Sequence, residues 1–250
     1  MSEKPDFLNS LRMAFGFLTI LPVPQKSEWS DLDFGWSAVF YPLTGALIGA
    51  CTAGFFQIIS GYFAGPVAAF LSLIVWILLS GGLHWDGLAD CMDGFCCSAS
   101  PGRRLEIMKD SRLGSYGALG IFCCLILKWL CIWYLPQNKS LVFFALAGAS
   151  ARWAMLFLTR LPLANPNGMA AMLKRNCPQK IVLYALPLPL LLAILYGIPY
   201  GLFYLLINVI FVWLWGMAAK KKIGGVNGDV LGFSIEMGEI VLLLAAQVLP

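Results

Sequence analysis

Charge is what this sequence has least of. Only 12% of its 250 residues are Asp, Glu, Lys or Arg, against 60% hydrophobic residues. A soluble domain of this size carries nearer to a quarter charged residues, so a surface wetted on all sides is excluded. Histidine is scarcer still: His84 is the only one, which leaves no obvious nucleophile–base pair. The sequence also lacks a Gly-x-Ser-x-Gly elbow, a phosphate loop ending in Gly-Lys-Ser/Thr, and any Cys-x-x-Cys pair. Hydrolase, nucleotide-loop and zinc-site chemistry lose their usual signatures. Its net charge of +4 is too modest and too spread out to indicate nucleic-acid binding.

What is present is apolar length. Runs of near span length occur at Ser37–Ile59, Tyr62–Leu83, Tyr116–Leu135, Ser140–Thr159, Ile181–Ile198, Tyr200–Ala219 and Val230–Leu249. Each approaches the ~20 residues that cross a bilayer core. A shorter stretch, Phe7–Pro24, carries Arg12 and ends in Pro-x-Pro, so it reads as an interfacial or re-entrant helix. The expected fold is all-α: a polytopic helical membrane protein with about seven transmembrane helices plus that N-terminal helix. Without an internal repeat or a linker, residues 1–250 are expected to form a single integral membrane domain. The mixed-charge start, MSEKPDF, is not expected to act as a cleavable leader. Eight cysteines, several of them inside the runs, are expected to be free thiols.

Basic residues give the orientation. All Lys and Arg except Lys128, Arg152 and Lys139 fall in the N-terminal segment or in the loops after the second, fourth and sixth runs. That side is expected to be cytoplasmic. The acidic residues lie on or near the same side, so the chemistry is expected there.

Three groups of residues carry that chemistry. The first is GGLHWDGLADCMDG, residues 81–94, with Asp86, Asp90 and Asp93. On a helix these three share an arc of about 60° spread over roughly 10 Å. Carboxylates so placed repel one another unless a cation lies between them, and a hard ion such as Mg2+ suits them. A lone His84 at an apolar helix end is more often structural than catalytic. The second group is MKDSRLGSYGALG, residues 108–120. Here Lys109, Asp110, Arg112 and Ser115, with Gly114 and Gly117, read as a phosphate-binding turn at a helix N-terminus. The third is NGDVLGFSIEMGE, residues 227–239. Asp229, Glu236 and Glu239 share a helical face inside an apolar run, and acids there must meet a polar interior, a metal or a cation. Arg152, also within a run, needs such an acid as partner. Metal and carboxylates without a protein nucleophile point to phosphoryl transfer.

These three blocks, in order after the N-terminal FLTILPVP, resemble the cobalamin synthase family (adenosylcobinamide-GDP ribazoletransferase) over essentially the whole chain. The resemblance implies an enzyme of the bacterial inner (plasma) membrane with its active site on the cytoplasmic face. It implies transfer of the cobinamide-phosphate moiety of adenosylcobinamide-GDP to α-ribazole or α-ribazole 5'-phosphate, with release of GMP and a requirement for Mg2+. Carried onto these residues, Asp86, Asp90 and Asp93 are expected to hold metal and act in catalysis, with Asp93 preferred as proton acceptor. Glu236 is expected to join them in catalysis and Glu239 at a second metal position. Lys109, Asp110, Arg112, Ser115, Asp229 and Arg152 are expected to bind substrate. The partners implied are the two small-molecule substrates and membrane lipid, with a homo-oligomer left open. The stripe is also similar to that of the CDP-alcohol phosphotransferases, but Asp90 stands where their motif requires Arg. A cation-coupled transporter is the alternative of another class; it would place its acids mid-membrane, not at one face.

Overall fold

A computed structural model of the protein describes residues 5–24, 29–135 and 137–248. Lys4, Lys26 and the side chain of Lys139, which entered the charge asymmetry, lie outside the described residues.

Every apolar run is helical. The elements are α1 (Phe7–Leu18), α2 (Asp31–Ser37), α3 (Tyr41–Ile59), α4 (Gly65–Leu79), α5 (Leu83–Cys96), α6 (Pro101–Ile107) and α7 (Ser115–Tyr134). Then follow α8 (Gln137–Met155), α9 (Met169–Asn176), α10 (Ile181–Tyr184), α11 (Pro187–Tyr196), α12 (Ile198–Ile223) and α13 (Gly228–Val248). Short 3-10 turns join α2 to α3 and extend α8 to Arg160. The chain is a polytopic helical membrane protein.

The helices differ from the runs in length. Among the described residues, four helical stretches are long and apolar enough to cross a membrane: Asp31–Ile59, Ser115–Tyr134, Leu141–Arg160 and Ile198–Ile223. The run at 181–198 breaks before Pro187, which begins α11 and cannot supply a backbone N–H to the preceding turn. Only the short apolar helix α11 remains there. α1 has 12 residues, about 18 Å of helix, too short to cross. α13 has 21 residues and the length of a span, but it carries three acids and is buried along most of its length.

Burial sorts inner from outer helices. The apolar window of α8 is 83% buried, whereas those of α7 and α12 are only 28% and 33% buried and leave broad faces to lipid. α3 crosses α8 at backbone contact: a Cβ on Gly45 would lie 2.1 Å from the Gly148 carbonyl oxygen, and one on Gly49 2.0 Å from that of Phe144. Small residues at such crossings supply the close packing that holds helices together in lipid.

One corner positions the site. α4 stops where Gly81 and Gly82 take left-handed φ angles of 64° and 66°, which side chains with a Cβ disfavour. Their N–H groups donate to the Leu78 and Ile77 carbonyls at 2.9 and 3.1 Å, and the Ile20 N–H donates to that of Leu79 at 3.0 Å. Carbonyls that the end of α4 would leave unpaired are thus satisfied. α5 departs at 94° to α4 and does not continue its axis. Nearby, backbone hydrogen bonds between Pro162–Ala164 and Val226 tie the loop after α8 to the one before α13.

Candidate active site

α5 carries the aspartate stripe, and α13 fixes its position. A Cβ on Gly87 would lie 2.9 Å from both the Cα and the carbonyl oxygen of Asp229, so the two backbones touch there and Asp229 stands beside the stripe. Asn227 caps α13 by accepting the Val230 N–H at 3.0 Å, and its amide donates to Asp229 Oδ2 at 2.8 Å. Burial, followed by the Asp229, Asp86 and Asp93 carboxylates, pushes Asp90 from 3.8 up to about 7. Burial and then Asp86 push Asp229 up to about 6, against the Asn227 hydrogen bond. Carboxylates crowd here without a protein cation among the causes that set their acidity.

Asp93 is occupied differently. Its Oδ2 accepts the Gly114 N–H and its Oδ1 the Gly117 N–H, each at 2.8 Å. Both donors belong to the first turn of α7, whose N-cap is Gly114. A Cβ on Gly114 or Gly117 would lie 2.3 or 2.4 Å from an Asp93 oxygen. The helix N-terminus expected to bind phosphate is therefore filled by the protein's own carboxylate.

Two clefts open beside Asp86. One, of about 260 Å3, is polar and is walled by Asp86, Asp90, Lys109, Asp110, Ser111 and Arg112. Arg112 is held by Asp110 through Nη2–Oδ2 and Nε–Oδ1 contacts of 2.6 and 3.0 Å. That hydrogen bonding, side chain first, brings Asp110 down to about 2. Ser115 is exposed and lies outside this wall. The other cleft, of about 220 Å3, is walled mainly by apolar side chains from α1, α2, α3, α8 and α9.

Glu236 and Glu239 lie deeper. Lys128 Nζ is 2.9 Å from Glu236 Oε2 and 2.5 Å from Glu239 Oε2, and Arg152 Nη1 is 2.8 Å from Glu239 Oε1. All four side chains are buried. Lys128 also sits 4.5 Å above the Trp76 ring, a cation–π contact. His84 Nδ1 is 3.9 Å from Glu236 Oε1. Two acids face two bases, and the set is neutral in itself.

The family described as cobalamin-5-phosphate synthase matches residues 10–247. The chain belongs to that family. An adenosylcobinamide-GDP ribazoletransferase of Desulforamulus reducens is 37% identical over 244 residues, covering 96% of this chain and 97% of its own. Proteins of the same name from Klebsiella pneumoniae strain 342 and Escherichia coli K12 are 35% and 34% identical. They cover 95% and 92% of this chain, and 99% and 95% of their own lengths. No solved structure matches.

As a member of the cobalamin-5-phosphate synthase family the chain is an enzyme, and its structure redistributes the residues expected at the site. Asp86, Asp90 and Asp229 come together, with Lys109 and Arg112 across the polar cleft. Glu236, Glu239 and Arg152 do not line that cleft: the two glutamates pair with Lys128 and Glu239 also with Arg152. The reason is electrostatic, since a carboxylate buried in a span is tolerated when a cation pairs with it. Asp110 orients Arg112 rather than facing the cleft alone. Lys128 was not recognised from the sequence; a lysine in the middle of an apolar run was itself the signal that an acid must face it. The apolar cleft had no local signal, because its walls come from seven separate helices.

Among the described residues no three His, Cys, Asp or Glu side chains converge closely enough to hold a metal unaided. Mg2+ commonly takes one or two carboxylates and completes its shell with water and substrate phosphate. Crowded hard-oxygen donors in a cleft that also holds Lys109 and Arg112 fit that mode.

Proposed function

We propose that this enzyme transfers the cobinamide-phosphate moiety of adenosylcobinamide-GDP to α-ribazole or its 5'-phosphate, releasing GMP, with Mg2+ as cofactor. The observation that carries the reading is that Asp86 and Asp90 share one cleft with Lys109 and Arg112, while the Asp229 backbone packs on Gly87 beside Asp86. The names of the full-length relatives supply the substrates.

Lys109 and Arg112 bind the pyrophosphate oxygens, Arg112 through a guanidinium that Asp110 holds in orientation. Asp86 and Asp229, with Asp90 next to them, hold Mg2+. The ion supplies charge neutralisation to the transferring and leaving phosphates. Asp90 accepts the proton of the attacking ribazole hydroxyl, a role suited to a carboxyl raised toward neutrality. The phosphorus–oxygen bond to GMP breaks as the bond to the hydroxyl oxygen forms, and the negative charge leaving on GMP is met by the basic wall. Asp93 acts at one remove, fixing α7 and the 109–112 loop against α5. In this reading the basic face is the cytoplasmic face of the bacterial inner membrane.

The test is purified protein in detergent with Mg2+, adenosylcobinamide-GDP and α-ribazole. GMP should appear in step with the joined product, and neither should form without Mg2+. Release of GMP without joined product would replace transfer by hydrolysis.

A further inference from the structure

We propose that the apolar cleft beside Asp86 and Asp229 is the seat of the acceptor's aromatic base, and that Tyr41, Met155 and Met169 select an apolar bicyclic base over a purine. The inference rests on the transfer reaction proposed above and assigns its acceptor a place.

Three observations lead to it. First, the polar and apolar clefts share Asp86 in their walls, so both reach the same carboxylate, with otherwise different linings. A phosphoryl transfer in which attacking and leaving oxygens lie roughly in line needs the two groups on opposite sides of the phosphorus. Lys109 and Arg112 stand in the polar cleft, whereas among the described residues the apolar cleft has neither lysine nor arginine in its wall. The anionic leaving group belongs with the cations, so the acceptor's base, neutral whether or not its ribose carries a 5'-phosphate, belongs in the cleft without them.

Second, the wall chemistry rejects a polar base. Phe17, Phe34, Tyr41, Met155, Met169 and Leu173 supply most of it, and the polar side chains that reach it are Tyr41, His84, Asp86 and Asp229. The last two face the reacting atoms. A purine with an exocyclic amine or carbonyl would bury hydrogen-bonding groups with too few partners, a cost of kilocalories each. A dimethylbenzimidazole, the base of ribazole, presents two methyl groups and one free ring nitrogen. Methionine thioethers pack well on aromatic rings, and buried His84 is the neutral group available to that nitrogen.

Third, size separates the two substrates. A volume of about 220 Å3 suits a two-ring base. It does not suit a corrin macrocycle with its amide side chains, nor does an apolar wall. The corrin therefore stays outside the cleft while its phosphate reaches the carboxylates.

The test uses full-length protein in detergent and two acceptors with the same α-ribosidic linkage, one bearing dimethylbenzimidazole and one bearing adenine. Met155→Gln and Met169→Gln keep side-chain length while making the wall polar; Met169 is 55% exposed, so that variant is not expected to disturb folding. The wild type should favour ribazole at least tenfold in kcat/KM. Each variant should lower that preference about tenfold, through the acceptor KM, while the KM for adenosylcobinamide-GDP holds. Free 5,6-dimethylbenzimidazole should bind the wild type by calorimetry and bind Met169→Trp, which fills the cleft, at least tenfold more weakly. GMP release with an unchanged acceptor preference in both Gln variants would overturn the cleft assignment alone. Absence of transfer to either acceptor would remove the reaction itself, and this assignment with it.

Discussion

Asp93 on α5 and Gly117 on α7 are joined by a 2.8 Å hydrogen bond from the glycine N–H to Oδ1, and the contact leaves no room for a Cβ at position 117. With the second bond from Gly114, it makes Asp93 a cap for a helix 21 or more residues away in sequence. Asp93→Ala should cost about 0.5–2 kcal/mol in stability, the range for removing a helix cap. Gly117→Ala should destabilise by displacing the same carboxylate. Because both act on one contact, the double variant should lose less than the sum of the two, as measured by thermal unfolding in detergent. Full additivity would mean that the cap is not what the two residues share.

Asp86, Asp90 and Asp229 should behave in the opposite manner. Their Asn variants are expected to lose a hundredfold or more in GMP release, the scale seen when transition-state charge stabilisation is removed. Folding should be retained, since these side chains repel rather than bind one another. Mg2+ affinity measured by calorimetry should fall in Asp86→Asn and Asp229→Asn but hold in Asp93→Ala. A reversed pattern would return the metal to Asp93.

The pH dependence of Mg2+ binding follows from the same crowding. Asp90 and Asp229 titrate near 7 and 6 without a cation, and a metal requires the deprotonated forms. These groups are charged above their raised values and neutral below them. Mg2+ affinity should therefore be highest near pH 8 and fall as pH drops through 7 and then 6. Binding at pH 6.5 should release protons, visible as a dependence of the calorimetric heat on buffer ionisation enthalpy. A dissociation constant flat from pH 8 to pH 5.5 would show that Asp229 does not hold the ion and that the charge of Asp90 does not reach it.

The buried ion set predicts stability effects and no direct role in the reaction. Lys128→Met leaves Glu236 and Glu239 facing Arg152 alone and should destabilise by about 3–5 kcal/mol, the cost of an uncompensated buried charge. Adding Glu236→Gln to that variant should restore much of the loss. Glu236→Gln alone, in protein that remains folded, should keep most of its turnover. A stable Glu236→Gln protein without turnover would bring Glu236 back to the active site.

Much of this was legible in the residues, and the limits of that legibility have physical causes. The helical period placed Asp86, Asp90 and Asp93 on one stripe, because a three-to-four-residue spacing is local geometry. The need of Arg152 for an acid was readable too, since the lipid environment allows few alternatives, and Glu239 meets it. The partner of Asp93 was not readable. Gly114 and Gly117 looked open to a ligand, and only the packing of α5 on α7 shows that a carboxylate fills the space. The split of the late acids, Asp229 to the site and Glu236 and Glu239 to Lys128, depends on depth along α13, which a shared helical face does not reveal. At 181–198 hydropathy ran on through Pro187, whereas the helix did not.

The corner at Gly81–Gly82 has a consequence for how substrates arrive. With α5 turned 94° from α4, Asp86 is exposed and Asp90 half-buried, so in the proposed reaction neither substrate has to dissolve in the bilayer to reach them. Membrane attachment then confines the catalyst without confining its chemistry. Anything that straightened the corner would set α5 along the axis of α4 and take Asp86 and Asp90 away from the cleft they share with Lys109 and Arg112.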